Sequence, residues 1–427
     1  MANMITRTAT NVAATVTDWV NERAPGMMPF YRKHMSEYYA PKSFNIWYIF
    51  GVLSMVALVN QILTGIFLTM HFKPSVAEAF GSVEYIMRDV EWGWLIRYMH
   101  STGASLFFIV IYLHMFRGLM YGSYQKPREL VWLLGMVIYL VLMAEAFMGY
   151  VLPWGQMSYW GAKVIISLFG AIPVIGTGLT EWIMGDFNPG DATLNRFFAL
   201  HVIAMPLVLL LLVVLHLGAL HEVGSNNPEG VDIKKGPKGN RWDANKPADG
   251  IPFHPYYTVK DTFYVGFFLL LAAFIIFFAP TFGGWFLEHD NFTLANPLVT
   301  PEHIKPVWYF TPYYAMLRVV PSFFGIKLWG VLVMFGAIAV LFLVPWLDKS
   351  PVKSYRFRGL LSKAMLAMFV VSFVWLAKIG AGPGTDPVEA IIGRVLTFLY
   401  FAFFITMPVW TKLDKTKPVP ERVTMHD

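Results

Sequence analysis

Long apolar stretches, separated by short polar connections, run along most of the chain and are its strongest structural signal. Eight of them are long enough for a helix to cross the ~30 Å hydrocarbon core of a bilayer, which takes roughly 20 apolar residues. Pro, Gly or charged residues bound each stretch, as expected where helices end. The pattern predicts an all-α membrane protein with eight transmembrane helices, centred near Val56, Ile109, Leu140, Leu209, Leu270, Val333, Phe369 and Phe401.

The predicted spans fall into two groups of four, because the most polar, Gly- and Pro-rich stretch lies between the fourth and the fifth. Residues 1–225 are predicted to form an N-terminal region with four transmembrane helices. Residues 226–257 are predicted to be a cytoplasmic linker, since such a composition is typical of flexible connections. Residues 258–427 are predicted to form a C-terminal region with four further spans.

Three segments outside the spans are apolar enough to predict helices at the membrane surface. Polar residues interrupt residues 10–20 throughout, which favours a surface helix over the core of a signal peptide. The connections at 153–195 and 280–327 are long and partly apolar, and we expect them to cap the membrane face as short helices.

Charge supplies the orientation of the spans. The chain is 56% hydrophobic and 14% charged with a formal net charge of +6, and its basic residues concentrate in particular connections. The connections after the second, fourth and sixth predicted spans are basic, whereas those on the other side are richer in acids. By the positive-inside rule both termini are cytoplasmic. A topology signal of this kind argues against nucleic-acid binding.

The chain contains no cysteine. It therefore cannot anchor a cysteine-ligated iron–sulfur cluster or attach a haem through thioether bonds. Any such centre must belong to another subunit.

Two predicted spans each carry two histidines: His100 and His114 in the second, His201 and His216 in the fourth. Fourteen residues make almost four helical turns, so His100 and His114 share one face at about 21 Å separation. Packing the two spans together would create two bis-imidazole sites at different depths, which suits two haems. Zinc would need further ligands. A lone membrane histidine is more often a structural hydrogen-bonding group, but a double pair favours haem.

Glycines repeat the same spacing, with Gly51 and Gly65 in the first span and Gly135 and Gly149 in the third. A missing side chain lets a flat macrocycle approach the backbone, although close helix packing is the ordinary alternative. We therefore predict that the first four spans form a diheme four-helix bundle.

Arginines flank the first histidine pair and complete the predicted sites. They could bind haem propionates, although snorkelling to the interface is the alternative. With the topology above, the outer haem is assigned to His100, His201, Gly65, Gly149 and Arg97, and the inner haem to His114, His216, Gly51, Gly135 and Arg117.

Specific motifs now identify a family. They are Arg97 to His100 (RYMH), 149–156 (GYVLPWGQ), 160–162 (WGA), 196–201 (RFFALH), 221–228 (HEVGSNNP) and 253–257 (FHPYY). With them the chain resembles cytochrome b of the bacterial cytochrome bc complex, a ubiquinol–cytochrome c oxidoreductase, over essentially its full length.

The resemblance implies two haem b groups, quinol oxidation near the outer face and quinone reduction near the inner face. An electron would pass through both haems, and the reaction would contribute to the proton gradient. It also implies a Rieske iron–sulfur subunit, a cytochrome c-type subunit, ubiquinone as substrate, a homodimeric complex and the bacterial inner membrane.

The inner quinone site implied by the resemblance consists of His221, Ser225, Lys260 and Asp261. Reducing a quinone takes up two protons, so His221 and Asp261 are the expected donors and Lys260 a relay from cytoplasmic water. Without the resemblance, Lys260 and Asp261 would be taken for an ordinary solvated helix start.

The outer quinol site implied by the resemblance lies between the region of Tyr150 and Gly161 and the segment 306–309. Its expected catalytic residues are Tyr150 and Tyr309. The family has a Pro-Glu-Trp-Tyr motif at this site. In this chain Val307 stands at the position of the glutamate, and valine cannot accept a proton. We hypothesise that Glu302 replaces the missing glutamate; the alternative is a solvated loop charge. The full expected set is Tyr150, Gly161, Pro306, Val307, Trp308, Tyr309 and Tyr314.

One departure from the mitochondrial pattern concerns the helix geometry. His201 and His216 have one more intervening residue than that pattern. A π-bulge in the fourth span could absorb the extra residue.

Two other functional classes remain open from the residues alone. A diheme quinol-linked anchor of a dehydrogenase would carry similar histidines but fewer spans and no second quinone site. A transporter would use intramembrane histidine and glycine along a substrate path, with paired broken helices and no haem.

A reduced-minus-oxidised optical spectrum of the purified protein separates these classes. We expect two b-type haem components, because two bis-imidazole sites at different depths would differ in environment. Absence of haem absorption would favour the transporter instead.

Overall fold

The computed structural model describes residues 2–31, 38–233, 249–322 and 328–423. These ranges are mostly helical, as predicted. Their α-helices are α1 (Ala2–Arg23), α2 (Met27–Tyr31), α3 (Phe50–Thr69), α4 (Ala79–Arg88), α5 (Gly93–Tyr121), α6 (Glu129–Val151), α7 (Gln156–Phe169), α8 (Gly176–Met184), α9 (Asp191–Ala199), α10 (Met205–Val223), α11 (Thr258–Phe278), α12 (Thr311–Val319), α13 (Leu328–Leu347), α14 (Leu360–Ala381), α15 (Pro387–Ile405) and α16 (Met407–Leu413).

Seven helical stretches of the described ranges are long and apolar enough to cross a membrane. They correspond to seven of the eight predicted spans. The sixth predicted span is helix α13, whose apolar stretch Leu328–Phe342 is shorter, and residues 323–327 just before it lie outside the description. The exact number of eight spans therefore stays a prediction. The seven stretches are Ile46–Thr69, Gly93–Tyr121, Glu129–Val151, Asp191–Val223, Phe253–Phe278, Leu360–Ala381 and Pro387–Ile405.

Apolar side chains cover the outside of these helices as well as the interior. Helix α11 shows this most clearly, because residues spaced by three or four positions form an exposed aromatic and aliphatic stripe. Such a stripe is unfavourable in water and favourable against lipid chains. It consists of Phe263, Phe267, Leu270, Phe274 and Phe278, each more than 60% exposed.

The helices that carry the predicted sites pack in two pairs. Helix α3 packs against α5, and α6 packs against α10. The turn between α9 and α10 contacts both α3 and α6, which brings the two pairs together. One cavity is lined by residues of α3, α5, α6 and α10. This arrangement positions the site described below.

The rear helices form a second packed group. Helix α12 packs against α13, α14 and α15, and α14 also packs against α15. Contacts of α13 with α6 and of α11 with α3 and α5 join the rear group to the front helices. One apolar core therefore extends through both halves of the chain.

A buried ion pair lies within the connection after α13, and a tyrosine of the front half donates a hydrogen bond to it. Arg358 Nη2 donates to Asp348 Oδ2 at 2.5 Å, and both side chains are inaccessible to solvent. The Tyr124 hydroxyl, from the connection after α5, donates to the same oxygen at 2.6 Å. A carboxylate that accepts several hydrogen bonds in this way can remain buried in its charged form.

The predicted surface helices are largely found. The N-terminal stretch forms α1, and the connection at 153–195 contains α7, α8 and the start of α9. The described part of the connection at 280–327, up to residue 322, contains three short 3-10 turns, at Phe282–Gly284, His289–Phe292 and Trp308–Phe310, and helix α12.

The predicted linker at 226–257 is partly ordered where it is described. Its last residues include strand β2 (Gly250–Pro252), which pairs antiparallel with β1 (Tyr39–Pro41). Asp249 binds Lys42 and Arg422 from two other parts of the chain. These contacts tie the end of the segment to the protein. Residues 234–248 lie outside the described ranges, so the domain division stays a prediction.

We expect Arg358→Met to lower the free energy of unfolding by roughly 3–5 kcal/mol, because it leaves Asp348 buried without its cation. Glu84→Gln, which breaks the exposed Arg88–Glu84 pair, should cost no more than about 0.5 kcal/mol. Thermal unfolding of the detergent-solubilised protein compares the two. Equal midpoints for both variants would contradict the structural role of the buried pair.

Candidate functional site

The two predicted histidine pairs meet in the structure. The ring centroids of His100 and His201 are 6.3 Å apart, and those of His114 and His216 are 6.4 Å apart. Metal–imidazole nitrogen bonds of about 2 Å place two opposed ring centres roughly 6 Å apart. Each gap therefore suits one metal ion held axially between two imidazoles.

Each of the four predicted glycines lies against one of these histidines. A Cβ on Gly149 would come within 3.0 Å of the His201 ring, closer than real Cβ atoms approach, so this position has no room for a side chain. The glycines thus let the imidazoles press against the neighbouring helix. Contact with the histidine rings therefore explains the fourteen-residue spacing of the glycines, in addition to any contact with a macrocycle. The pairs are Gly65 with His100, Gly149 with His201, Gly51 with His114 and Gly135 with His216.

A π-helical turn lies in the fourth span, where a π-bulge was expected, and it includes His201. Residues Leu200–Ala204 form this turn, and the Met205 N–H donates to the Leu200 carbonyl five residues earlier. The turn absorbs one extra residue between α9 and α10. His201 can therefore pair with His100 while His216 pairs with His114.

The outer histidines are held through Nδ1. His100 Nδ1 is 2.8 Å from the Thr64 hydroxyl. His201 Nδ1 is 2.9 Å from the backbone oxygen of Glu145 and 3.0 Å from its carboxylate. Contacts at Nδ1 fix the ring orientation and leave Nε2 for a metal, as in most metal-binding histidines.

The inner pair lies next to the predicted arginine. Arg117 Nη2 is 3.4 Å from His114 Nδ1, and its guanidinium stacks 4.9 Å from the centre of the Tyr48 ring. Arg117 Nε is buried without a hydrogen-bond partner among the described residues. A buried guanidinium with an unused donor suits an anionic group such as a haem propionate.

The outer pair opens into a cavity of about 440 Å³. Arg97 lines this cavity, as do Tyr150, Val307 and Tyr309 of the predicted quinol site. Gly161 adjoins it, because a Cβ there would lie 3.7 Å from the Tyr150 ring. The outer histidine pair and the predicted quinol site therefore share one space.

The remaining residues of the predicted quinol site have other contacts. Trp308 donates to the hydroxyl of Ser105, which itself lines the cavity, at 3.2 Å. Tyr314 donates to the backbone oxygen of Ile304 at 3.0 Å. Pro306 precedes Val307 in the chain, and no contact to the cavity is seen for it, Trp308 or Tyr314 in the described ranges.

A carboxylate that was not predicted contacts this site through Tyr150. Neither Glu302 nor Glu288 lines the cavity itself, and Glu302 is exposed. Glu288 is 6% exposed, and the Tyr150 hydroxyl donates to its Oε2 at 2.8 Å. Burial raises the pKa of Glu288 to about 7, although the Tyr150 hydrogen bond acts in the opposite direction.

The preference for Glu302 came from its closeness to Val307 along the chain. One feature of the sequence does point to Glu288 as a buried acid. It directly follows the apolar run 285–287, and an acid in that position is often buried with its neighbours. Its contact with Tyr150 joins segments 138 residues apart and could not be read from local sequence.

The predicted inner quinone residues lie around a tyrosine that the sequence analysis did not identify. The Tyr38 ring stacks on His221 with centroids 4.8 Å apart, and its hydroxyl lies 3.0 Å from the Ser225 hydroxyl. Burial raises the pKa of Tyr38, so its hydroxyl stays protonated at neutral pH. Tyr38 connects two of the four predicted residues.

The other two predicted inner residues begin helix α11. Lys260 Nζ lies 5.6 Å from the ring centre of Tyr257, which packs in one apolar cluster with Tyr38. Asp261 follows in the same first turn and is partly buried. The cluster thus brings the start of α11 close to the end of α10.

The fold and these geometries define an integral membrane protein with two histidine pairs between apolar helices. A family model for "Cytochrome b/b6/petB" matches residues 35–224, and one for "Cytochrome b(C-terminal)/b6/petD" matches residues 294–401. The chain belongs to the cytochrome b family. Membership implies binding of haem b.

Relatives of this family align with the chain over nearly its full length. A cytochrome b of Allochromatium vinosum is 61% identical over 406 residues, covering 95% of this chain and 97% of the relative. A cytochrome b of Rhodobacter capsulatus is 44% identical over 422 residues, covering 96% and 94%. The solved structure of a "Hyperthermophilic respiratory Complex III" matches with a TM-score of 0.82 and 39% identity, covering 93% of this chain and 98% of that chain.

We expect Gly149→Ala to reduce haem binding, because its methyl group would displace the His201 ring. Gly218→Ala, where a Cβ meets nothing within 4 Å, is the matched control. Haem absorbance per polypeptide measures both. If the two variants bind the same amount of haem, the proposed contact does not govern the site.

Proposed function

We propose that this chain is the diheme cytochrome b subunit of a respiratory quinol–cytochrome c oxidoreductase. The observation that carries the proposal is the pair of bis-histidine sites between α5 and the helix formed by α9 and α10, one of which shares a cavity with a quinol-site motif. The similarity to a solved respiratory Complex III supports it.

The haem sites proposed here follow the sequence assignment. One site comprises His100, His201, Gly65, Gly149 and Arg97, and the other comprises His114, His216, Gly51, Gly135 and Arg117. When bound, the two haems would supply one-electron centres at two depths, so that an electron can cross the membrane. The imidazoles would hold them, and the arginines would neutralise their propionates.

At the outer site the chain must accept protons as quinol is oxidised. Val307 has no group that can do so. We assign this role to Glu288 in place of Glu302, because Glu288 is hydrogen-bonded to Tyr150 at the cavity and has a pKa of about 7. A base with this pKa can accept a proton and release it again near neutral pH.

At the inner site the chain must deliver two protons to a quinone. His221 and Asp261 are the proposed donors, Ser225 a hydrogen-bonding residue and Lys260 a relay from cytoplasmic water. Tyr38 would orient His221 by stacking and Ser225 by its hydroxyl. We infer ubiquinone as the substrate from the family resemblance.

The proposed partners follow from what the chain lacks. Because it has no cysteine, the iron–sulfur cluster and the covalently bound haem of the complex would belong to a Rieske subunit and a cytochrome c-type subunit. Large apolar side chains are exposed in the connections 153–195 and 280–327, at Val174, Phe187 and Leu298, and they support a protein partner there. We further propose a homodimeric complex in the bacterial inner membrane, with both chain termini in the cytoplasm.

Glu288→Gln tests the outer site. The purified complex should reduce cytochrome c with quinol, and the variant should be at least tenfold slower, since loss of a general base typically costs more than ~100-fold. Activity of the unchanged protein should rise as pH increases through about 7, because Glu288 then becomes an acceptor, and the variant should lack this rise.

Glu302→Gln is the matched control and should keep both the rate and the pH profile. A large loss of activity in Glu302→Gln, with no loss in Glu288→Gln, would instead make Glu302 the outer proton acceptor. Absence of quinol-dependent cytochrome c reduction by the unchanged complex would contradict the proposed function itself.

A further inference from the structure

One of the four paired histidines contacts a carboxylate. Glu145 lies on α6, and its Oε1 is 3.0 Å from His201 Nδ1. The other oxygen, Oε2, is buried and has no hydrogen-bond partner among the described residues. The backbone oxygen of Glu145 is also near, at 2.9 Å from the same nitrogen.

The other three histidines have different surroundings at Nδ1. His100 faces the Thr64 hydroxyl, and His114 lies near the Arg117 guanidinium. His216 is buried beside the backbone of Val131 and has no carboxylate at Nδ1. Within the described ranges, the carboxylate therefore distinguishes His201 from the other histidines, and the outer pair from the inner pair.

A carboxylate in a membrane span needs a compensating charge, since burial in an apolar medium strongly disfavours the ionised form. Glu145 forms no ion pair with lysine or arginine in the described part of the chain; its paired group is His201. An imidazole that binds a metal through Nε2 must carry its proton on Nδ1. That proton is directed at the backbone carbonyl of Glu145, and the carboxylate lies beside it, with Oε1 3.0 Å from the same nitrogen.

We propose that Glu145 is a positioning residue that lowers the reduction potential of the outer haem through the negative charge of its carboxylate beside His201 Nδ1. A charged acceptor at Nδ1 makes an imidazole a stronger electron donor, which stabilises the oxidised iron. Reduction adds one electron to the iron and leaves the shared proton in place. The outer haem thereby becomes the stronger reductant of the two, which favours electron transfer towards the inner haem.

This inference rests on the proposed function, because it requires a haem held by His201. The test is a redox titration of the purified complex that follows the two b-type haem components separately. In Glu145→Gln, the outer component should be at least tenfold easier to reduce, an upward shift of about 59 mV or more for a one-electron couple. The inner component should not move.

Two further variants separate charge from shape. Glu145→Asp keeps the carboxylate and should return the outer potential most of the way to its original value. Thr64→Val removes the contact to His100 on the same haem without changing charge. It should shift the outer component less than Glu145→Gln does.

The outcomes distinguish this inference from the proposed function. An unchanged outer potential in Glu145→Gln, or loss of the outer haem in both Glu145 variants, overturns the role of Glu145. Loss of the outer haem in Glu145→Gln alone would make Glu145 a residue that retains the haem and would overturn its role in setting the potential. If the unchanged complex contains no haem, the proposed function fails instead.

Discussion

The approach of four imidazoles in two pairs across facing helices is the constraint on which the rest of the structure depends. Ring centroids separated by 6.3 and 6.4 Å leave room for one metal ion between the two imidazoles of each pair. Glycines on α3 and α6 let each ring lie against the neighbouring helix, and Gly149 has no room for even a methyl group. The π-helical turn Leu200–Ala204 supplies the remaining adjustment, because it sets His201 in register with His100.

The two ends of this arrangement differ in chemistry although their geometry is similar. The outer pair lies in a cavity shared with Tyr150 and Tyr309, and two carboxylates adjoin it, Glu145 at His201 and Glu288 at Tyr150. The inner pair lies beside Arg117. Charges act strongly on one another in such an apolar environment. In the proposed electron path, these different charged neighbours would make the reduction potentials of the two haems unequal.

Local sequence patterns were sufficient for the features that repeat along helices. Apolar length predicted seven of the described spans, and the fourteen- and fifteen-residue spacings predicted the histidine pairs and the π-helical turn. The same patterns could not identify Glu288 or Tyr38, because their roles come from contacts with Tyr150 and Ser225 more than a hundred residues away. The acid closest to Val307 in sequence, Glu302, lies instead at the surface.

Haem content of single-histidine variants tests the central claim most directly. The account predicts that His201→Leu removes one b-type component from the spectrum of the purified complex and that His114→Leu removes the other. Each variant should retain the component held by the opposite pair, since the pairs lie about 21 Å apart along α5. Retention of both components in either variant, or loss of the same component in both, would contradict two separate bis-histidine sites.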